Sequence, residues 1–341
     1  MLRRAMTLSL SVLDLAPVGS GSTPSQALRD TVELARLAER LGFTRYWFAE
    51  HHNLPSVAST SPELLIEHVA SATSRIRVGS GGIMLPNHVP LRVAENFHTL
   101  EALHPGRIDL GIGRAPGTDP VAAQALRPFD AEQFPAQLTE LQALSSGNVP
   151  EGHPFRTVRA IPDDVELPPI WLLGSSGASA RLAGTLGMGY SFARHFSPTP
   201  PGPAIEAYRE SFQPSRQFPA PHVILGVSVV CAETDEQAEH LAWTLKLSWV
   251  RLRTGNPGPL PTPEEAKAHR YTPFEEASFE QYRQLIIVGG PEKVRAEIEA
   301  LVAETGVEEV MITTMIHGHA ERLRSYELVA GVFGGLKPSL P

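Results

Sequence analysis

The chain alternates between short apolar runs and longer segments with helical periodicity. Residues 23–42 show the helical pattern clearly, with a Thr/Ser start, apolar residues such as Leu28, Val32 and Ala35, and a final Gly42, which is typical of a capped amphipathic helix. Eight apolar runs begin near residues 7, 44, 76, 108, 170, 189, 222 and 309, and helical pattern follows each. Strands that alternate with helices predict a parallel sheet.

Eight strand and helix units predict an α/β fold, a (β/α)8 TIM barrel. A doubly wound sheet is the alternative, although it usually has fewer strands and needs a topological switch point. No break in composition divides the chain, so we expect one domain over residues 1–341. Residues 251–283 form an extended insertion before the eighth strand, because a Gly/Pro run is followed there by a charged stretch with weak periodicity.

Composition excludes several classes of function. The chain carries 29 Lys and Arg against 37 Asp and Glu, a net charge of −8, which argues against nucleic acid or an anionic membrane as the main partner. The single cysteine, Cys231, excludes internal disulfides and cysteine-based zinc sites. Asp14 interrupts the apolar start, and no apolar run reaches the roughly 18 residues of a membrane span. These features predict a cytoplasmic protein.

Polar residues collect at the carboxyl end of the second strand, where barrel enzymes place their chemistry. The stretch "RYWFAEHHN" ends in Glu50, His51, His52 and Asn53. A metal site is disfavoured, because adjacent strand residues diverge and H-E-x-x-H is absent. Two interpretations remain equally open: the histidines satisfy backbone groups at the rim, or one of them is an acid/base group in a pocket.

The next two strand ends are rich in glycine. The third contains Gly79, Gly81 and Gly82, which indicates either a tight bend or a close approach of backbone to a flat ligand. The fourth reads "LGIGRAPGTD", and Pro116 and the wrong glycine spacing exclude a dinucleotide-binding turn. Its Arg114 is placed to give a guanidinium fork to a phosphate, although a lone arginine is more often a solvated rim residue.

The fifth strand end, "GSSGAS", opens directly into a helix and contains Ser175, Ser176 and Ser179. Helix amino termini attract anions, and small residues let the anion approach. Simple serine capping is the alternative. Together with Arg114 on the neighbouring strand, these serines favour a two-sided phosphate clamp.

These stretches, taken in order, resemble the bacterial-luciferase-like flavin monooxygenases. The resemblance runs through "FAEHH", "VGSGGIMLP", "LRVAENFHTLEALHPGRIDLGIGRAPG" and "GSSGAS", and more loosely "IIVGGPEKV". It implies a barrel that binds FMN at its mouth. It also implies an oxidoreductase that takes reduced FMN from a separate NAD(P)H:flavin reductase and uses O2 to oxygenate a small organic substrate. A homodimer or higher homo-oligomer is expected.

The resemblance also implies roles for individual residues. His51 corresponds to the catalytic histidine, and Glu50, His52 or Asn53 are expected to hold it in place. The residues that correspond to the FMN site are Gly81 and Gly82 beneath the flavin ring, and Arg114, Ser175, Ser176 and Ser179 around the phosphate. No metal is expected. Gly113 stands where light-emitting members carry a cysteine, and Ser175 where they carry a glutamate, so luciferase activity is not implied.

Two other functions fit the same barrel. One is a deazaflavin-dependent hydride-transfer oxidoreductase, which would be indifferent to oxygen. The other is a flavin-binding protein without turnover, which would retain FMN and oxidise nothing. For residues 251–283 the sequence suggests either a lid over the mouth or a fixed excursion packed on the barrel, and a short helix suspected at "PEEAKAHR" fits the fixed excursion.

Overall fold

The computed structural model describes residues 8–127 and 130–334. These residues form nine parallel strands and twelve α-helices. The strands are β1 (Ser9–Asp14), β2 (Arg45–Phe48), β3 (Arg77–Met84), β4 (Ile108–Gly113), β5 (Ile170–Gly174), β6 (Gly189–Ala193), β7 (Val223–Cys231), β8 (Ile286–Gly289) and β9 (Glu309–Thr313). The helices are α1 (Pro24–Leu41), α2 (Pro62–Ala72), α3 (Pro90–Leu103), α4 (Pro120–Leu126), α5 (Phe134–Ser146), α6 (Gly177–Thr185), α7 (Gly202–Ser211), α8 (Asp235–Arg253), α9 (Pro263–Ala268), α10 (Pro273–Arg283), α11 (Pro291–Thr305) and α12 (His319–Val332).

Eight of the strands close a barrel, which confirms the predicted fold. The hydrogen-bonded order runs from β1 through β6 to β7, then to β9 and back to β1. The observed strand starts agree closely with the predicted ones, apart from residue 7, which lies outside the described residues. The capped first helix is also confirmed: Thr23 accepts a hydrogen bond from the Gln26 N–H, and Gly42 ends α1 in the left-handed conformation.

The ninth strand, β8, was not predicted. It is a four-residue apolar run that pairs only with the upper half of β7, from Ser228 to Cys231, while the lower half of β7 pairs with β9. The run is too short to be told from a helix start by its periodicity. It therefore adds a strand beside the barrel without changing its closure.

The insertion before the last barrel strand is folded against its surroundings. Thr262 and Thr272 begin α9 and α10 with capping boxes, so the suspected short helix is confirmed at Pro263–Ala268. Leu260 is buried and exchanges backbone hydrogen bonds with Val18 and Ser20 of the loop after β1. These contacts favour the fixed excursion over the lid.

Inward-facing side chains fill the barrel in layers. Charged groups close the amino end, where Arg45 donates to Asp109 over 2.8 Å and to Glu309 over 2.7 Å. An apolar layer follows, formed by Leu13, Trp47, Trp171, Phe218, Ile224 and Met311. Above it, towards the carboxyl ends, the inward positions become small. The inward positions of the upper barrel are therefore small, whereas those at the amino end carry long charged side chains.

Candidate active site

The mouth of the barrel is lined by residues without bulk. Strand alternation turns Ala49, Gly81, Gly111, Ala193 and Gly226 inward, and all of them are buried. Side chains of neighbouring residues lie close to this layer: His195 Nδ1 lies 2.7 Å from where a Cβ of Gly226 would stand. The backbone of the strand ends is therefore part of the surface of the mouth.

The Gly81–Gly82 pair forms the tightest part of this layer. The peptide bond between the two glycines is cis, and the β3–β4 register shifts between Ser80 and Ile83. A Cβ at Gly81 would lie 2.7 Å from the side chain of Leu13, and one at Gly82 would lie 2.7 Å from a backbone oxygen. No side chain fits at either position, so backbone forms the surface of the mouth here.

The polar residues after β2 face different directions. His52 Nε2 lies 2.9 Å from Glu50 Oε1, and Asn53 donates to Asp119 over 2.8 Å. The His51 side chain contacts neither of these groups, and its Nδ1 is buried with no hydrogen-bond partner in the described part of the chain. In the described residues no side chain of Glu50, His52 or Asn53 hydrogen-bonds the His51 ring, although the Glu50 backbone lies close enough to raise its pKa against the effect of burial. The His51 backbone is held through a 3.0 Å hydrogen bond from the His51 N–H to the Ser59 carbonyl.

Glu50 links the loops after β2 and β3. Its carboxylate is fully buried, accepts the Met84 N–H over 2.7 Å, and lies 2.9 Å from His88 Nε2 as well as beside His52. Burial opposes ionisation, but hydrogen bonds from His52 and His88 bring the pKa of Glu50 down to about 2. Glu50 is thus a structural anion of the rim. The histidine exposed to the mouth is His51, whose own pKa is lowered by burial.

The predicted phosphate residues lie together at the ends of neighbouring strands. Arg114 follows β4 directly, is exposed, and makes no ion pair within residues 8–127 and 130–334. Ser176 is the N-cap of α6 without a side-chain capping bond. The N–H groups of the first turn are therefore free for an external acceptor. Ser175, which is half-buried, precedes the exposed Ser176.

Ser179 faces inward from the first turn of α6. Its Oγ donates to the Ser176 carbonyl over 2.9 Å and occupies the space above Gly174, where a Cβ would lie 2.1 Å away. The hydroxyl thus shapes the turn that presents the free N–H groups. The space beside Gly113 is likewise filled by a neighbouring side chain, since a Cβ at Gly113 would lie 2.6 Å from Met84 Cε. Methionine fills the position that a cysteine would need.

One residue of the mouth was missed by the sequence analysis. His195 follows β6, and its Nδ1 is buried with no hydrogen-bond partner among the side chains of the described residues. Burial, opposed by a hydrogen bond to the Gly226 backbone and helped by charge on His51, lowers the pKa of His195 to about 4. The sequence offered one signal for His195: it lies two residues after the inward-facing Ala193, as His51 lies two residues after the inward-facing Ala49.

A family model described as luciferase-like monooxygenase matches residues 8–309. The chain belongs to the luciferase-like monooxygenase family. A luciferase-like monooxygenase of Escherichia coli (strain K12) is 40% identical over 329 residues, which cover 96% of this chain and 97% of the relative. The YvbT protein of Bacillus subtilis (strain 168) is 48% identical, with 95% and 96% covered.

Several solved structures have a fold similar to that of this chain over nearly its whole length. The crystal structure of apo-MsnO8 has a TM-score of 0.86 at 40% identity and covers 96% of this chain and 98% of its own. The oxygenating constituent of 3,6-diketocamphane monooxygenase from Pseudomonas putida, in complex with FMN, has a TM-score of 0.70 at 21% identity, covering 97% and 99%. An F420-dependent secondary alcohol dehydrogenase has a TM-score of 0.67 at 15% identity, covering 96% and 99%. The last two likenesses show the fold alone.

Two further observations concern other ligands. No three His, Cys, Asp or Glu side chains come together in the described ranges as they would around a metal ion. None of the helices described is both long and apolar enough to cross a membrane.

Proposed function

We propose that the protein is an FMN-dependent monooxygenase that receives reduced FMN from a separate reductase and oxygenates a small organic substrate with O2. The observation that carries the proposal is the mouth itself, where backbone without side chains at Gly81 and Gly82 lies on the same side of the barrel as Arg114 and the free amino end of α6, with His51 and His195 also at the strand ends. The family supports an oxygenase. The predicted homo-oligomer stays a prediction.

The residues at the mouth fit FMN in two places. Arg114 and the free N–H groups at the start of α6 offer charge-assisted and dipolar hydrogen bonds to a phosphate. The backbone at Gly81 and Gly82 offers a surface without side chains for the isoalloxazine ring. When bound in its reduced form, FMN supplies the electrons for the activation of O2.

The chain's own contribution is positioning, proton transfer and exclusion of water. His51 is half-buried and its pKa is lowered, so its imidazole is neutral near pH 7 and able to give or take a proton at Nε2. The apolar layer below the mouth, with Trp47 and Trp171 packed edge to face at 5.6 Å, keeps water out from beneath.

Anaerobic titration with reduced FMN, followed by exposure to air, tests the proposal. We expect saturable binding, and oxygen consumption that rises when a substrate is present. Arg114→Ala should weaken FMN binding by about 1.5–3 kcal/mol, roughly 10- to 100-fold, because a hydrogen bond to a charged group is lost. Arg92→Ala, which removes an exposed arginine of α3, is the matched control.

Three results would count against it. A protein that does not bind reduced FMN has no flavin site, and one that oxidises reduced F420 without using oxygen is the hydride-transfer enzyme. A protein that retains FMN but never consumes oxygen in response to any substrate is the flavin-binding protein without turnover. An unchanged dissociation constant in Arg114→Ala would remove only the phosphate assignment.

A further inference from the structure

Three segments outside the strands hold the residues that follow β2. The first comes after β1 (residues 15–23), the second lies between β2 and α2 (residues 53–61), and the third joins β4 to α4 (residues 114–119). Regular pairing ends before His51, because the last register partners of β2 are Asp14 on β1 and Ser80 on β3. The backbone of His51 and His52 therefore depends on contacts with these segments.

Ser59, in the second segment, holds one side of this stretch. Its side chain is fully buried and its Oγ donates to the Ala49 carbonyl, while its own carbonyl accepts the His51 N–H over 3.0 Å. The Ser59 N–H donates in turn to the Leu15 carbonyl over 3.3 Å. Ser59 therefore contacts the backbone of both Ala49 and His51 and ties it to the segment after β1.

Gly117 and Thr118, in the third segment, hold the other side. The His52 N–H donates to the Gly117 carbonyl over 3.0 Å, and Thr118 Oγ1 donates to the His52 carbonyl over 2.7 Å. Both backbone groups of His52 are thus bound by adjacent residues. Burial lowers the pKa of His51, and the backbone of Glu50 and Gly117 opposes that shift, so Gly117 also lies close to the His51 imidazole.

The same three segments contain left-handed backbone. Ala16 and Asn53 are the two non-glycine residues with this conformation within residues 8–127 and 130–334, at φ of 49° and 56°. Gly117 shares it, at 66°, and a Cβ there would lie 2.7 Å from the Glu50 carbonyl oxygen. For residues other than glycine such backbone is unfavourable, persists only where the surroundings impose it, and is concentrated at functional sites. Its occurrence on both sides of His51 indicates that these segments are shaped for the position of that residue.

Residues 114–119 also carry part of the proposed phosphate site. Arg114 begins this segment, and Asp119 ends it, where the Asp119 side chain caps α4. The same carboxylate accepts Asn53 Nδ2 over 2.8 Å. One short segment, fixed at both ends, therefore connects the arginine proposed for the phosphate with the groups that surround His51.

We propose that Thr118 is a positioning residue for His51, because its hydrogen bond to the His52 carbonyl fixes the segment whose Gly117 backbone lies against the His51 imidazole. The two hydrogen bonds from and to His52 close a ring with residues 117 and 118, so loss of the Thr118 hydroxyl lets Gly117 move relative to the imidazole. The inference rests on the proposed function for the importance of that position in catalysis. The position of the imidazole itself does not depend on turnover and can be measured without it.

Two substitutions at residue 118 separate positioning from a purely structural role. Thr118→Val keeps the shape of the side chain and removes the hydroxyl, whereas Thr118→Ser keeps the hydroxyl. Thr305→Val is the matched control: Thr305 Oγ1 also donates to a backbone carbonyl, that of Leu301, over 2.6 Å, but it does so where α11 ends and leads into β9 at the amino end of the barrel. Urea unfolding measures the stability that each variant loses.

The first readout is the pair of ring 15N signals of His51 in protein labelled with 15N-histidine, recorded without flavin and assigned by their loss in His51→Gln. We expect Thr118→Val to shift these signals, and Thr118→Ser and Thr305→Val to leave them in place. The second readout is turnover. Thr118→Val should lower kcat about tenfold or more with little change in KM or FMN binding, because a displaced catalytic group costs rate and not affinity, and Thr118→Ser should restore kcat.

The two proposals fail separately. Unchanged His51 signals in Thr118→Val, an equal shift in Thr305→Val, or a shift with unchanged kcat would overturn the role of Thr118 alone. Signals that shift in Thr118→Val and recover in Thr118→Ser, in a protein that does not bind reduced FMN, would overturn the proposed function and keep the positioning of the imidazole. If Thr118→Val does not fold, Asn53→Gly decides by the same readouts, because it keeps the left-handed backbone and removes the bond to Asp119.

Discussion

At the scale of single residues, strand alternation gives two adjacent histidines different tasks. His52 lies on the side of Glu50 and helps to hold its charge. His51 lies on the other side, and its ring makes no hydrogen bond to another side chain in the described ranges. A polar side chain whose role is structural usually has its polar atoms paired. The proposed function therefore assigns the acid/base role to His51 and not to His52.

Removal of the His51 imidazole should affect turnover and leave FMN binding almost unchanged. We expect His51→Ala to lower turnover by about 100-fold or more, because a positioned acid/base group usually contributes 10² to 10⁴. Steady-state oxygen consumption and a flavin titration measure the two effects. His68→Ala, which removes an exposed histidine of α2, is the control. Equal turnover in mutant and parent would return His51 to a structural role.

Glu50 should make stability depend on acid pH. Its folded-state pKa of about 2 lies below the ordinary 4.5, so its ionisation stabilises the fold fully above pH 4.5, and this stabilisation is lost as the pH falls towards 2. The difference is worth about 3 kcal/mol of unfolding free energy. Glu50→Gln should therefore be less stable than the parent at pH 7 and approach it by pH 3.

Urea unfolding at pH 7, 5 and 3 measures this convergence. The exposed Glu304 of α11 offers a control, since Glu304→Gln should change stability little at any of these pH values. A gap between parent and Glu50→Gln that stays constant down to pH 3 would show that Glu50 acts through packing and not through its charge.

The sequence indicated candidate site residues after β2, β3, β4 and β5, but it did not indicate which residues from other loops approach them. Alternation placed Glu50 and His51 on opposite faces, and the structure agrees. His88, however, reaches Glu50 from another loop, and His195 faces His51 from the far side of the barrel. Such pairs join groups far apart in sequence, so a local pattern can indicate that a residue such as His195 faces inward but not which group it meets.

At the scale of elements, the insertion between α8 and β8 is anchored near its middle. Ser20 Oγ donates to Glu265 Oε2 over 2.9 Å, and Lys246 of α8 pairs with Glu276 of α10 over 2.6 Å. Phe279 is buried against α8.

Residues 253–259, before this anchored part, and residues 267–274, within it, are both exposed almost throughout. The second run is tied to its surroundings by Tyr271, whose hydroxyl donates to the Ala266 carbonyl over 2.8 Å and whose ring centroid lies 4.3 Å from Lys246 Nζ. Residues 253–259 therefore have the lower local stability.

Limited proteolysis should distinguish a lid from a fixed excursion. We expect proteinase K to cut residues 253–259 before any bond of residues 260–283, at a rate that FMN does not change. Mass spectrometry of the first fragments locates the cut. A first cut within residues 260–271 that bound flavin slows would show instead that the anchored part opens and closes over the mouth.

The helices of the insertion were partly visible in the sequence, because Thr262 and Glu265 spell a capping box. The strand β8 was not visible in the sequence, because its residues form a strand only where they pair with β7. That strand continues to Cys231, past its last partner on β6, and leaves an edge that only another strand can pair. The strand propensity of residues 286–289 can be read from the sequence, but the unpaired edge of β7 that makes them a strand can be seen only in the fold.

At the scale of the whole molecule, the amino end of the barrel is closed by balanced charges. Arg45 and Arg77 face Asp109 and Glu309, and His222 lies 3.0 Å from Glu309. Burial opposes ionisation of Asp109, but Arg77 and Arg45 bring its pKa down to about 2. Each charge depends on the others, so the network acts as one unit.

Removal of Arg45 should destabilise the whole barrel. Arg45→Ala leaves Glu309 and part of Asp109 as buried charges without their partner, which typically costs about 3–5 kcal/mol. Guanidinium unfolding of parent and mutant measures the loss. Arg324→Ala, which removes an exposed ion pair with Glu233, is the matched control and should have little effect. Equal losses would show that the network adds nothing beyond a surface pair.

Closure at one end has a consequence for the order of events. Under the proposed function, oxygen, flavin and substrate enter from the carboxyl end, because ion pairs and a tryptophan layer fill the described barrel beneath it. The molecule that binds deepest must then arrive first and leave last. The fold would thus fix the order of binding, and a product that stays near the entrance would delay the release of every molecule beneath it.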